Sequence, residues 1–127
     1  MNTIAKNGKF YGTCGNSSEN YSTEEQIIGT WIDGKPIYRK TISCGALNNA
    51  ETKLVAHGIA DLDYVVDFKG IAKNPTVNYY IPMNYAPQSD TMNYCFIDKD
   101  NISIYCTVDR SQYTESYVTI YYTKTTD

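Results

Sequence analysis

Apolar and polar residues alternate along several stretches of this chain, which is the period-two pattern of β-strands with one buried face. The clearest alternation covers 62–69, where the even-numbered residues are apolar or aromatic and most odd-numbered ones are charged. It predicts a strand whose even-numbered face lies in the core. Similar but shorter or less regular patterns predict further strands at about 76–81, 92–97, 102–108 and 116–124.

A β-hairpin is predicted within 27–42. One β-prone run contains Trp31 and reaches Asp33-Gly34-Lys35-Pro36, after which a second run begins at Ile37. Glycine permits the backbone angles of such a tight turn. Seven to eight short strands in one domain predict an all-β fold, an antiparallel, jelly-roll-like β-sandwich.

The predicted core follows from the more apolar face of each strand or hairpin. It consists of Ile28, Ile32, Leu62, Tyr64, Val66, Phe68, Ile102, Ile104, Val118 and Ile120. Trp31 is expected either in this core or at an interface, because its large ring contributes much apolar area in both settings.

Residues 1–25 differ from the rest because they are polar and rich in Asn, Gly and Ser. They predict an extended N-terminal arm or linker that precedes a sandwich head domain at 26–127. Within the arm, Ser22-Thr23-Glu24-Glu25 resembles a helix capping box, which predicts at most one short turn of helix.

The length of 127 residues suits one domain with its own core. No apolar run approaches the ~20 residues that cross a bilayer, and no apolar export signal follows Met1, so a soluble domain without membrane insertion is expected. The formal net charge of -3 creates no positive field for nucleic acid, which is therefore not an expected partner.

Four cysteines, Cys14, Cys44, Cys95 and Cys106, form no CxxC pair, and one histidine does not complete a zinc set. We expect no metal and no cofactor. Free buried thiols are favoured over two disulfides. A hairpin turning at Asp100-Asn101 would place Cys95 opposite Cys106, whereas a turn centred one residue earlier would separate them.

Catalytic patterns are weak in this sequence. His57 has no acidic neighbour and no GxSxG nucleophile motif accompanies it, so a turn or strand-edge role is favoured. A pair of carboxylates could cleave a glycosidic bond, but the sequence singles out no pair. We therefore expect a protein that is not an enzyme.

Acidic clusters could hold calcium, but a simpler interpretation is favoured for each. Asp61, Asp63 and Asp67 share one parity along a predicted strand and are expected on its solvated face. The segment 98–101 lacks the central glycine and closing glutamate of a calcium loop, so an ordinary hairpin turn is predicted.

Two segments carry a resemblance to a known family. Residues 21–40, YSTEEQIIGTWIDGKPIYRK, resemble the opening of a domain of bacteriophage and prophage tail-fibre and baseplate proteins, especially those of Gram-positive hosts. Residues 117–124, YVTIYYTK, look like its final strand, and 55–59 is also similar. The resemblance implies an all-β terminal module of a virion tail, usually trimeric, that assembles with other tail proteins and serves host attachment or tail architecture.

Loop tyrosines are the leading binding candidates, since their rings stack on sugars and their hydroxyls form hydrogen bonds. The connection 82–91 is the longest irregular segment between predicted strands, and functional residues concentrate on such loops. The candidate glycan-binding residues around it are Tyr80, Asn84, Tyr85, Gln88, Asp90 and Tyr94. The alternative is that these tyrosines merely fill a sandwich surface.

A homotrimer is expected from the resemblance, and aromatic residues offer it an interface. The candidate interface residues are Trp31, Tyr117, Tyr121 and Tyr122. The leading hypothesis is a receptor-binding head that attaches the virion to host cell-wall polysaccharide. Two alternatives are a structural module that trimerises or caps a fibre and a secreted carbohydrate-binding module.

Overall fold

The computed structural model describes residues 20–127. Within this range the chain forms β-strands and no helix, and hence no helix that could cross a membrane. The strands are β1 (Gln26–Thr30), β2 (Pro36–Ser43), β3 (Thr52–Ala56), β4 (Leu62–Asn74), β5 (Tyr79–Pro82), β6 (Asn93–Ile97), β7 (Asn101–Cys106) and β8 (Glu115–Lys124). The predicted arm residues 1–19, including Cys14, lie outside the described residues.

The strands form two antiparallel sheets. A five-stranded sheet has the order β1-β2-β8-β4-β5, and a three-stranded sheet has the order β3-β7-β6. Buried residues from both sheets form one apolar cluster. The all-β fold and the two-sheet, sandwich-like architecture predicted from the alternation are confirmed.

The core contains four of the predicted residues, all fully buried: Ile102, Ile104, Val118 and Ile120. The last two lie on β8, the central strand of the large sheet, which pairs with β2 on one side and β4 on the other. A central strand buries its apolar face most completely, so the alternation along β7 and β8 predicts burial correctly.

The prediction for the β4 face holds for Leu62 and Phe68 and is wrong for Tyr64 and Val66. Two register irregularities interrupt the pairing of β4 with β8, between Leu62 and Val65 and between Val65 and Asp67. Each bulge changes the parity of the residues that face the core. Leu62, Val65 and Phe68 pack against the core, Val66 is half-buried outside it, and Tyr64 is 55% exposed.

The hairpin between β1 and β2 is confirmed, but Ile28 and Ile32, which were predicted in the core, do not reach it. The Trp31 N–H donates to Lys35 O at 2.8 Å and the Gly34 N–H to Trp31 O at 2.9 Å, with Gly34 at a φ of 89°. Ile32 is 90% exposed in this turn, and Ile28 is half-buried on the edge strand β1. Both core predictions are wrong because the hairpin end lies at the margin of the sheet.

The described part of the arm follows the large sheet without forming a helix. The Thr41 N–H donates to Ser22 O at 2.9 Å, and the Tyr21 ring lies 4.1 Å from the Arg39 guanidinium carbon. The Ser22 hydroxyl accepts from the Glu24 N–H at 3.0 Å, two residues ahead, which is a local turn and not a capping box.

The hairpin between β6 and β7 decides the arrangement of two cysteines. Ile97 pairs with Ile102, so the turn is centred one residue before Asp100-Asn101, and Cys95 lies opposite Ile104. Cys44, Cys95 and Cys106 are buried free thiols. The favoured prediction of free thiols therefore holds for these three residues.

Candidate functional site

An open cavity of about 710 Å³ lies where β5, the β5–β6 connection and the β7–β8 connection meet. We call it the tyrosine hollow. Its size falls in the range of small-ligand sites. Its lining residues are Asn78, Tyr79, Tyr80, Ile81, Tyr85, Pro87, Gln88, Thr91, Arg110 and Tyr113.

Four tyrosines line the hollow and contribute aromatic rings and hydroxyl groups to it. Tyr79 and Tyr80, on the edge strand β5, are 64% and 61% exposed, whereas Tyr85 and Tyr113 are half-buried and pack against the core. Exposed rings offer faces for stacking and hydroxyls for hydrogen bonds, while the two packed rings provide a fixed wall. The hollow is therefore equipped for a ligand with both apolar faces and hydroxyl groups.

Arg110 is the one charged side chain that residues 20–127 contribute to the lining. Its Nη2 donates to Thr91 O at 2.9 Å, and its guanidinium carbon lies 5.6 Å from the centre of the Tyr85 ring. Its own backbone N–H donates to Asn48 O at 2.8 Å. These contacts hold the guanidinium between the β5–β6 and β7–β8 connections.

Hydrogen bonds fix both ends of the long β5–β6 connection. The buried Asn93 side chain donates to Pro82 O at 3.1 Å and to Met83 O at 2.7 Å, and the Tyr85 and Asn93 backbones exchange hydrogen bonds. Farther along, the Thr107 hydroxyl accepts from the Met92 N–H at 2.7 Å. A loop held in this way is pre-organised, which lowers the entropic cost of binding.

Comparison with protein-family models, with curated proteins and with solved structures finds no match for this chain. The role of the hollow is therefore argued from its own geometry and chemistry.

The six predicted glycan-binding residues separate into two groups. Tyr80, Tyr85 and Gln88 line the hollow. Asn84, Asp90 and Tyr94 do not belong to the lining.

The three remaining residues have other contacts. The Asn84 side chain accepts from the Cys95 N–H at 2.8 Å, and the backbone oxygen of Asp90 accepts from the Thr107 hydroxyl at 3.0 Å. The Tyr94 ring stacks between Phe96 and Tyr105, each with a centroid distance of 6.3 Å. Asn84 and Asp90 thus hold the connection in place, and Tyr94 lies on the small sheet.

Several residues of the hollow were not predicted from the sequence. Arg110 and Tyr113 come from the β7–β8 connection, for which no binding role is predicted from the sequence. An Arg and a Tyr in a loop between two predicted strands are the signal that could have identified them, because the loop at 82–91 was selected on the same ground. Tyr79 was missed although it is adjacent to Tyr80.

The four aromatic residues predicted at a subunit interface lie in different places. Trp31 stacks on Tyr64 beside the β1–β2 turn, whereas Tyr117 pairs with Ser43 at the opposite end of β2 and is 52% exposed. Tyr121 is half-buried, and Tyr122 is fully buried in the core of its own chain. Tyr122 therefore has no surface to offer a partner.

His57 is a buried structural residue. Its Nδ1 accepts from the Ile59 N–H at 3.1 Å, so Nε2 carries the proton that it donates to Asp98 O at 2.8 Å. The expected turn or strand-edge position agrees with its place directly after β3.

Neither acidic cluster has the geometry of a metal site. The Asp98 carboxylate accepts from the N–H groups of Asp100 and Asn101, which lowers its pKa and forms the ordinary turn predicted at 98–101. No group of three potential metal ligands occurs within residues 20–127.

Proposed function

We propose that this domain binds carbohydrate through the tyrosine hollow and does so without catalysis. The observation that carries the proposal is the presence of two exposed tyrosine rings, an amide and a guanidinium around one open cavity on a tethered loop. Sugars present C–H faces that stack on aromatic rings and hydroxyls that bond to amides and phenols. The part of the chain that the structure describes places no carboxylate pair of the kind that glycoside hydrolysis uses in this lining.

We further propose that this binding serves attachment of a phage tail to host cell-wall polysaccharide. The support is the resemblance of 21–40 and 117–124 to tail-fibre and baseplate domains. In this proposal the domain is a homotrimeric head in the virion, joined to other tail proteins. Three weak sites on one head engage a repetitive polymer together, with a gain of about 10² to 10⁴ in avidity.

A binding experiment with matched tyrosine variants tests the carbohydrate proposal. The wild-type chain is applied to a glycan array and to wall polysaccharide preparations, beside Tyr80→Ala and Tyr117→Ala. Tyr80 and Tyr117 are similarly exposed, but only Tyr80 lines the hollow. For a monovalent oligosaccharide, whose binding does not depend on avidity, we expect Tyr80→Ala to weaken binding by ~10-fold or more, about 1.4 kcal/mol, and Tyr117→Ala to bind like wild type.

Two outcomes contradict the carbohydrate proposal. One is that the folded wild-type chain binds no glycan and no wall preparation. The other is an equal loss in both variants, which would move the site away from the hollow.

One observation favours a structural module as the second candidate. The outer face of the small sheet carries the exposed side chains of Leu54, Phe96 and Tyr105, with Tyr94 between the two aromatic rings. Aromatic residues without neighbouring charge are typical of the buried centre of protein interfaces. A trimer that fails to bind any glycan would support this candidate over the first.

A further inference from the structure

Among the described residues, the lining of the tyrosine hollow contains positive charge and no negative charge. Arg110 is the charged residue of this lining, and the Lys73 Nζ lies 5.6 Å from the centre of the Tyr80 ring. Asp109, adjacent to Arg110 in sequence, does not line the hollow, and its Oδ1 accepts from the backbone and hydroxyl of Ser111. In a chain of net charge -3, the hollow is therefore locally positive.

Arg110 keeps most of its hydrogen-bonding capacity unused. A guanidinium has five N–H donors, and within residues 20–127 the Arg110 side chain makes one hydrogen bond, from Nη2 to Thr91 O. Its Nε is buried and has no acceptor there, and the Thr91 hydroxyl beside it is also buried without a partner. Because Arg110 lines the hollow, its remaining Nη donors are the ones that a ligand there can reach.

We infer that the tyrosine hollow selects saccharides that carry an anionic group, a carboxylate or a phosphate, and that Arg110 binds this group. This inference rests on the proposed function of the same hollow. The planar guanidinium fits the two oxygens of either anion with a pair of parallel hydrogen bonds. The tyrosine rings then contact the sugar to which the anion is attached.

The chemistry of the hollow also predicts which ligands are disfavoured. A neutral sugar can stack on Tyr79 and Tyr80 but leaves the Arg110 guanidinium without an anionic partner. An anionic sugar adds charge-assisted hydrogen bonds, which are roughly twice as strong as neutral ones. Because these involve opposite charges, binding of the anionic sugar weakens as salt screens the interaction.

The test compares oligosaccharides that differ only in charge. Binding to the full chain is measured by calorimetry for a glucose oligosaccharide, its glucuronate counterpart and its 6-phosphate counterpart, at low salt and at 0.5 M salt. We expect ~10-fold tighter binding of at least one anionic member at low salt, with most of that preference lost at high salt. A preference for the carboxylate or for the phosphate distinguishes the two sources of the anion.

Arg110→Gln is expected to abolish the preference for the anionic member over the neutral one, and Arg110→Lys to retain part of this preference because the charge remains. Lys99→Gln is the matched control. It removes the same charge from the β6–β7 turn, where the Lys99 side chain is 85% exposed and away from the hollow. It should bind like wild type.

The failures of the two proposals are distinguishable. Equal affinity for neutral and anionic members, or a preference that persists in folded Arg110→Gln, overturns the anion inference and leaves carbohydrate binding intact. No binding by any member or by the glycan array overturns both. The salt dependence and selectivity of the wild-type chain decide the question even if a variant does not fold.

Discussion

The hydroxyl of Tyr122 donates a hydrogen bond of 2.5 Å to the carboxylate of Glu25. Tyr122 is fully buried on the central strand β8, and Glu25 directly precedes β1. Lys124 Nζ lies 2.8 Å from the other carboxylate oxygen. Burial and the nearby Glu25 carboxylate raise the pKa of Tyr122, which keeps its hydroxyl protonated as the donor. This pair joins the start of the head domain to the centre of its large sheet.

Because of the contacts of the Glu25 carboxylate, we expect the folded protein to lose stability in acid. Burial opposes ionisation of Glu25, but the hydrogen bonds from Lys124 and Tyr122 outweigh it and hold its pKa below the ordinary value of 4.5. The stabilisation is therefore complete above pH 4.5 and is lost as the pH falls through the lowered pKa. We expect Glu25→Gln to lower the free energy of unfolding by about 1 kcal/mol at neutral pH.

Urea titrations across the acid range measure this effect. The difference between wild type and Glu25→Gln should shrink as the pH falls below 4.5. Glu24→Gln, at an exposed neighbouring position, should cost less than ~0.5 kcal/mol. A Glu25→Gln difference that does not change with pH would contradict the role of the carboxylate charge.

Two isoleucines test the position of the core. Ile104 is fully buried and Ile32 is 90% exposed, although both were predicted in the core. We expect Ile104→Ala to cost ~2 to 5 kcal/mol in unfolding free energy and Ile32→Ala less than ~0.5 kcal/mol. Chemical denaturation of both variants provides the comparison. Equal costs would show that the hairpin end is packed in the folded protein.

Two glycines test the close packing beneath the β5–β6 connection. A Cβ added at Gly70 would lie 2.5 Å from Met83 Cγ and 2.8 Å from Tyr117 O, whereas one at Gly29 meets no atom within 4 Å. We expect Gly70→Ala to destabilise by ~1 to 3 kcal/mol and Gly29→Ala to change stability by less than ~1 kcal/mol.

Thermal or urea unfolding measures the difference between the two glycine variants. Because the Met83 N–H donates to Gly70 O at 2.9 Å, Gly70→Ala should also disturb the start of the β5–β6 connection and weaken ligand binding in the hollow. A Gly70→Ala protein as stable as Gly29→Ala would disprove the close approach of Met83 to β4.

We expect the buried cysteines to react slowly with thiol reagents in the folded state. Burial raises the pKa of Cys44 to about 11, and burial together with the nearby Cys44 raises that of Cys95 to about 12. Since the thiolate is the reactive form, neither should react at pH 8. In a Cys14→Ser chain we expect no rapid labelling by a thiol reagent when native and three labelled thiols after denaturation without reductant. Only one labelled thiol after denaturation would reveal a disulfide.

The homotrimer is tested by light scattering behind a sizing column. The expected mass is three times the 14.4 kDa of one chain. If exposed Tyr117 lies in the interface, Tyr117→Arg should reduce the mass, because a charge is unfavourable in a buried interface centre. Tyr79→Arg, at an exposed tyrosine of the hollow, should not change it. A mass near 14.4 kDa at tens of micromolar protein would contradict the trimer.

The sequence by itself determined the strand-rich fold and much of the local structure. Alternation along β7 and β8 identified Ile102, Ile104, Val118 and Ile120 as core residues, and Asp33-Gly34 marked the first hairpin. These features depend on the two-residue period of a strand and on the backbone freedom of glycine. Both are local properties, so a short stretch of residues is enough to show them. The short strand β3 has no such clear pattern and was not predicted.

Only the tertiary structure decided which faces are buried and which residues share the hollow. The bulges of β4 arise from its pairing with β8, and they turn Tyr64 outward although its alternation is that of a core residue. The hollow combines Tyr80 with Arg110, thirty residues later in the chain, because β5 and the β7–β8 connection come together in the folded chain. Register and strand order depend on contacts between distant residues, and a local pattern of apolar and polar positions does not contain them.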